Sequence, residues 1–248
     1  MADSSLKDKH VVVVGGSSGI GLAVAEAALA EGARVTIASS QQAKVDAALQ
    51  ALGGAAPNRI GGAAFSVNDE AAVAAFFEGL GGLDHLAFTA GDWGGWASKT
   101  ITEVDLESAA AIFKVRFWGA VTVVKHAARI IAQDGSITLT DGTVAHRPRK
   151  GAPINTAAAG AVEHLVRGLA VDLAPVRVNA VCPALILTEV WNTLMPGVTP
   201  ERLAKMTERQ PLPRPGDPAE AAQAYIYCMR GGYTTGQVLK VDGGTLLV

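Results

Sequence analysis

The sequence predicts an α/β protein: a doubly wound, parallel, seven-stranded sheet with helices on both faces. Three observations carry this expectation. Short β-branched runs alternate with longer Ala-rich segments along all 248 residues, and such alternation specifies parallel strands joined by crossover helices. Hydrophobic residues make up 49% of the chain but aromatics only 5%, a composition that suits helices packed closely on a sheet buried on both sides. No linker, repeat or low-complexity tail divides the chain, so residues 1–248 are expected to form a single domain.

The elements follow in order. His10–Val14 reads as the first strand and Leu22–Ala30 as a helix. Arg34–Ala38 is a second strand, and Gln41–Leu52 a helix closed by Gly53-Gly54. Ile60–Phe65 and Asp84–Thr89 are the third and fourth strands, with a helix over Asn68–Leu80 between them. A long helix is expected from Val104 to Ala132, stopped before Gly135, and then a fifth strand over Ser136–Thr140. A second long helix runs from Ile154 to Ala174-Pro175. Arg177–Val181 and Gln237–Val241 complete the sheet. The Ala-rich run at Ala219–Ala224 is helix-forming.

The chemistry is concentrated where the first strand ends. Gly15-Gly16-Ser17-Ser18-Gly19-Ile20-Gly21 joins a β-branched run to a helix N-terminus. The glycines let the backbone turn tightly and approach a pyrophosphate. The first helical turn then offers free N–H groups and the positive end of the helix dipole to phosphate charge. The spacing is G-x-x-x-G-x-G, and an ordinary strand–turn–helix would also use it. The apolar run before it and the helix after it favour the dinucleotide reading.

Other features exclude functions. A formal net charge of -2 gives no reason to expect nucleic acid or an acidic membrane as partner. Cys182 and Cys228, the two cysteines, read as core thiols and not as a disulfide or a metal site. Met1–Lys9 is polar and no apolar run approaches ~18 residues. The expectation is a cytoplasmic protein with a small-molecule substrate, no bound metal, and no nucleic-acid or membrane partner.

The glycine turn resembles that of the short-chain dehydrogenase/reductase family, T-G-x-x-x-G-I-G, with Val14 where the threonine usually stands. Further segments resemble the family in order. Thr89-Ala90-Gly91 is similar to its Asn-Ala-Gly. Arg177-Val178-Asn179 with Pro183-Ala184 is similar to its R-V-N-x-x-x-P-G. Thr188 stands at the threonine that holds the nicotinamide amide, and Thr235-Gly236-Gln237 and Val241-Asp242-Gly243-Gly244 resemble the ending. The resemblance implies a Rossmann-type fold and a nicotinamide cofactor. That cofactor would be held by Gly15, Ser17, Ser18, Gly19, Ile20 and Gly21, by Ser39 and Ser40, by Ser66 and Val67, by Thr89, Ala90 and Gly91, and by Pro183 and Thr188. Ser66 departs from the family's Asp at the adenine. Ser39 and Ser40 stand where an NAD site places an acid on the ribose 2′-hydroxyl, so NADP(H) is expected over NAD(H). Gln41, Gln42 and Lys44 are the nearest donors. The two serines also suit a polar turn and helix cap.

The catalytic half departs from the family. Its reductases use an Asn, a Ser and a Tyr-x-x-x-Lys. Aligned on their flanks, Arg116 replaces the Asn, Asp141 the Ser, Asn155 the Tyr and Ala159 the Lys. An Arg116–Asp141 pair would keep the aspartate ionised, either as a structural ion pair or as a base. His146, on the loop before Asn155, has a suitable intrinsic pKa for acid/base work, although a lone loop histidine is more often just solvated. The catalytic candidates are therefore Asp141, Asn155, Arg116 and His146. Trp93, Trp96, Trp191, Leu194 and Met195 suggest an apolar or aromatic carbonyl or alcohol as substrate, or else close the core under a loop. The resemblance implies an oxidoreductase of non-standard mechanism, or a catalytically silent cofactor-binding relative. It also implies a homotetramer built on the two long helices.

Overall fold

Seven parallel strands lie in the order β3-β2-β1-β4-β5-β6-β7. The structure, a computed structural model, describes residues 5–54, 58–91, 99–191 and 197–248. Strand β1 (His10–Val14) leads into α1 (Gly19–Ala30), β2 (Arg34–Ser39) into α2 (Gln42–Gly53), and β3 (Ile60–Ala64) into α3 (Glu70–Leu80). Strand β4 (Leu83–Phe88) returns beside β1, with Val11 paired to His85 and Val14 to Phe88. The strand order reverses between β1 and β4, which opens a crevice at their carboxyl ends.

The sequence makes β1 the centre because every one of its residues is buried. Val12 and Val14 join the core beneath Phe77 of α3 and Val124 on the neighbouring helix. Val11 and Val13 join the opposite core, beneath Val24 of α1 and Val45 of α2. The β-branched run thus covers two faces, as a central parallel strand must.

One predicted element is corrected. The helix expected over Val104–Ala132 is α4 (Leu106–Phe113), a π-helical turn (Lys114–Gly119) and α5 (Ala120–Ala127). The chain then leaves the helix early, and β5 runs from Ile131 to Thr140. Leu83 pairs with Ile131, and the register shifts before His85 meets Ser136. Gly135 does not stop a helix. It sits at this irregularity, where an added Cβ would lie 2.3 Å from the Asp84 carbonyl oxygen. β-Branched Ile130 and Ile131 favour the strand, and tertiary pairing overrides the helical pattern.

Helix α6 (Pro153–Asp172) and strand β6 (Arg177–Pro183) follow. Among the described residues two helices lie beyond, α7 (Pro200–Thr207) and α8 (Pro218–Arg230), before β7 (Val238–Val241). Helix α8 starts in a reciprocal capping box between Asp217 and Glu220, with Pro218 in its first turn. No helix among the described residues is long and apolar enough to cross a membrane.

Candidate active site

The crevice is a cleft of about 1290 Å³ at the carboxyl ends of the strands. All of the residues predicted to hold the cofactor line it: the Gly15–Gly21 turn, Ser39 and Ser40, Ser66 and Val67, Thr89–Gly91, Pro183 and Thr188. At the turn, the Gly15 and Gly16 N–H groups both donate to the Ala38 carbonyl, at 2.8 and 3.2 Å. Gly15 has φ +92°, and a Cβ there would lie 2.5 Å from the Ala90 nitrogen. A Cβ on Gly21 would lie 2.2 Å from the Gly15 oxygen and 2.4 Å from Thr89 Oγ1. The turn can close onto β4 only with glycine at both places. Ser18 precedes α1 in extended conformation and makes no side-chain cap bond, and the first turn carries no acid. Its N–H groups are therefore left for a phosphate.

At the far end, Ser39, Ser40, Gln41 and Lys44 line the cleft, while Gln42 is tied to Asp46 at 2.7 Å. Helix α2 is preceded by Gln41, so neither serine is its N-cap residue. Among the described lining residues the only carboxylates are Asp141 and Glu189. The Ser66 hydroxyl accepts from the Asn68 N–H at 3.2 Å. Asn179, central to the R-V-N motif, has a structural task. It is fully buried, donates to the Thr234 carbonyl and accepts from the Gln237 N–H, and so clamps β7 to β6.

At the reacting end, Arg116 projects from the π-helical turn, and such turns frequently occur at functional sites. Its guanidinium lies over Gly91, where an added Cβ would come within 3.1 Å of Nη2. Trp191 lines the same region with its indole N–H donated to the Ile186 carbonyl. Trp93, Trp96, Leu194 and Met195 lie outside the described residues.

The expected Arg116–Asp141 pair is not formed. The Asp141 N–H donates to the Val181 carbonyl at 2.9 Å. Its carboxylate is gathered with Glu163 and Cys182, both oxygens are buried, and neither has a hydrogen-bond partner. Burial, with Glu163 beside it, lifts the Asp141 pKa well above the usual carboxylate range, the reverse of what an arginine partner would do. His146 meets Glu163 instead, Nε2 to Oε1 at 2.5 Å. Neither Asn155 nor His146 is among the residues lining the cleft.

Sequence reasoning also missed Tyr225 and Glu163. Thr140 Oγ1 donates to the Phe88 carbonyl at 2.6 Å. A hydroxyl has one proton, so the Tyr225 O–H donates to Thr140 Oγ1, also at 2.6 Å. Tyr225 is fully buried, which raises its phenol pKa further from neutrality. It supports the cleft wall through Thr140 and does not replace the missing tyrosine. Glu163 is an acid on the buried side of α6, and its only signal in the sequence is that misfit.

The comparisons with known proteins agree with this geometry. A family model described as enoyl-(acyl carrier protein) reductase matches residues 14–245. The short-chain dehydrogenase/reductase ucsE of an Acremonium species is 37% identical, over 98% of this chain and 97% of that one. The MalC reductase/Diels-Alderase of Malbranchea aurantiaca superposes with a TM-score of 0.89 at 31% identity, over 98% of both chains. An NADPH-bound short chain oxidoreductase of Pseudomonas aeruginosa, described as containing an atypical catalytic center, gives 0.88 at 29% identity, over 96% of this chain and 98% of that one. The chain belongs to the short-chain dehydrogenase/reductase family, whose members are nicotinamide-dependent oxidoreductases acting on small molecules.

Proposed function

We propose that residues 1–248 act as one cytoplasmic, NADP(H)-dependent oxidoreductase on a small apolar or aromatic carbonyl or alcohol, without the usual Tyr–Lys pair. The observation that carries this reading is the pairing of a complete cofactor cleft with Arg116 over Gly91 at its reacting end. The cofactor supplies or accepts the hydride. Arg116 holds a fixed positive charge where alkoxide character develops on the substrate oxygen, and the proton that completes or leaves the alcohol is exchanged with solvent in the open cleft. Asp141 lines the cleft, but its carboxyl is buried against Glu163 and Cys182 and takes no proton from the substrate in this arrangement. The Pseudomonas relative with an atypical catalytic center supports the idea that this fold works without the usual residues.

The experiment follows NADPH oxidation by the purified protein with a panel of aromatic and aliphatic carbonyls, and NADP reduction with the matching alcohols. Turnover is expected, with kcat lowered roughly 10²-fold in Arg116→Gln and calorimetric NADPH binding retained. Tight NADPH binding without turnover on any panel favours the alternative, a catalytically silent cofactor-binding relative. The buried carboxyl of Asp141 and the absence of Asn155 from the described cleft lining favour that alternative.

A further inference from the structure

We propose that Asp141, His146, Glu163 and Cys182 form a site for a divalent transition-metal ion of the zinc class, set behind the wall of the cofactor cleft. Four segments converge to build it. Asp141 follows β5, His146 follows the 3-10 turn Thr143–Ala145, Glu163 lies on α6 and Cys182 on β6. One donor atom from each, two carboxylate oxygens, an imidazole nitrogen and a sulfur, lies within 4.8 Å of all the others. Donors around a tetrahedral zinc, with bonds of about 2.0–2.3 Å, stand roughly 3.3–3.8 Å apart. The cluster therefore needs to contract by ~1 Å at its widest and to open by a similar amount between His146 Nε2 and Glu163 Oε1, which stand 2.5 Å apart.

The second observation is the state of the buried oxygens. Asp141 is 2% exposed and Glu163 5%. Both Asp141 oxygens and Glu163 Oε1 lack a hydrogen-bond partner. His146 Nε2 approaches Glu163 Oε1 but outside hydrogen-bond geometry. Two adjacent carboxyl groups in a dry interior are costly unless a proton or a cation compensates them. A single proton offsets one charge, whereas a divalent ion offsets two and occupies the idle lone pairs as well.

The donor types choose the ion. Calcium and magnesium take oxygen sets, and mixed sulfur, nitrogen and oxygen donors in a four-fold set suit zinc. Arg167 Nη2, at 3.7 Å from Glu163 Oε2, would orient the carboxylate from outside as an outer-shell partner. The His146 side chain is 28% exposed and gives the ion a route in. Four ligands close the site, so the role is structural: it ties the loop before α6 to β5 and β6, next to the reacting end of the cleft.

The test uses untagged, chelator-stripped full-length protein titrated with cobalt(II) and, separately, with zinc(II). Cobalt should bind at one per chain, with the visible bands of a tetrahedral ion and a near-ultraviolet sulfur-to-cobalt charge-transfer band. Zinc at a hundredfold excess over its Kd should raise Tm by roughly 5–10 °C. Cys182→Ser should lose the charge-transfer band, and Glu163→Gln should weaken binding at least 100-fold, both with NADPH binding retained as the check on folding. Wild-type protein that shows neither a charge-transfer band nor a zinc-dependent Tm rise overturns the site and leaves the two carboxyls sharing a proton. Equal cobalt binding by folded Glu163→Gln would also overturn it.

Discussion

At the scale of single residues, the glycine turn and its surroundings define the site most sharply. A Gly21→Ala side chain would press on the Gly15 backbone oxygen and on Thr89 Oγ1, neither of which can retreat without opening the turn. Overpacking of this kind costs about 1–3 kcal/mol. Gly21→Ala should lower Tm and weaken NADPH binding more than tenfold, measured by thermal melting and calorimetry. Lys44 makes a different point. It is the one cation lining the Ser39–Ser40 end of the cleft, where no described acid stands. If it meets a ribose 2′-phosphate, Lys44→Ala should weaken NADPH roughly tenfold, the effect of ~1.4 kcal/mol, and leave NADH unchanged. Equal losses for the two cofactors would remove the basis for the NADP preference. Both residues were legible in the sequence because they sit in local motifs. Directions of side chains were not. Aligned flanks located Arg116 and Asp141, but only the structure shows that both line the cleft without pairing to each other, the Asp141 carboxyl sitting against Glu163 and Cys182.

At the scale of elements, most strands could be read because a parallel strand under helices is a short run rich in apolar residues between turn signals. The failures have one cause, which is competition from tertiary pairing. Nothing local shows that Ile131 will pair with Leu83, so the helix was read on to Ala132. Gly135, taken as a stop, instead admits the close approach of the Asp84 carbonyl. The π-helical turn that aims Arg116 has no sequence signature either, since Lys114–Gly119 reads as ordinary helix. The R-V-N motif was legible as a motif, yet its asparagine turns out to bind two backbone groups of the β7 segment. Asn179→Ala would leave the Thr234 carbonyl and Gln237 N–H without this partner, at about 1 kcal/mol for each bond lost. For a chain of this size Tm should fall by roughly 2–4 °C per kcal/mol. NADPH affinity should change less than twofold, because Asn179 does not line the cleft. A selective loss of NADPH affinity with unchanged Tm would instead make Asn179 part of the cofactor site.

At the scale of the whole molecule, the sheet order places the ends of six strands around one cleft, and a site at the carboxyl ends of the strands is what the alternation of elements implies. The cluster of Asp141, His146, Glu163 and Cys182 did not, because residues from 141 to 182 meet only through the packing of α6 on β5 and β6. Assembly is a further property of the whole surface. Leu106 on α4, Trp118 on the π-helical turn and Val171 on α6 are 78%, 60% and 82% exposed in the single chain. Large apolar side chains on two neighbouring helices are costly to leave in water and mark a surface for association. We propose that these helices pair with their copies about two-fold axes and give a homotetramer, since self-complementary patches close by such axes. Light scattering at micromolar concentration should report roughly four times the 25.4 kDa of one chain. Trp118→Asp places a charge in the paired helices, where an unpaired buried charge is strongly unfavourable, and should shift the mass to a dimer or monomer while the circular dichroism of the fold persists. A wild-type monomer at that concentration would refute the assembly. An unchanged tetramer in Trp118→Asp would move the interface to another face.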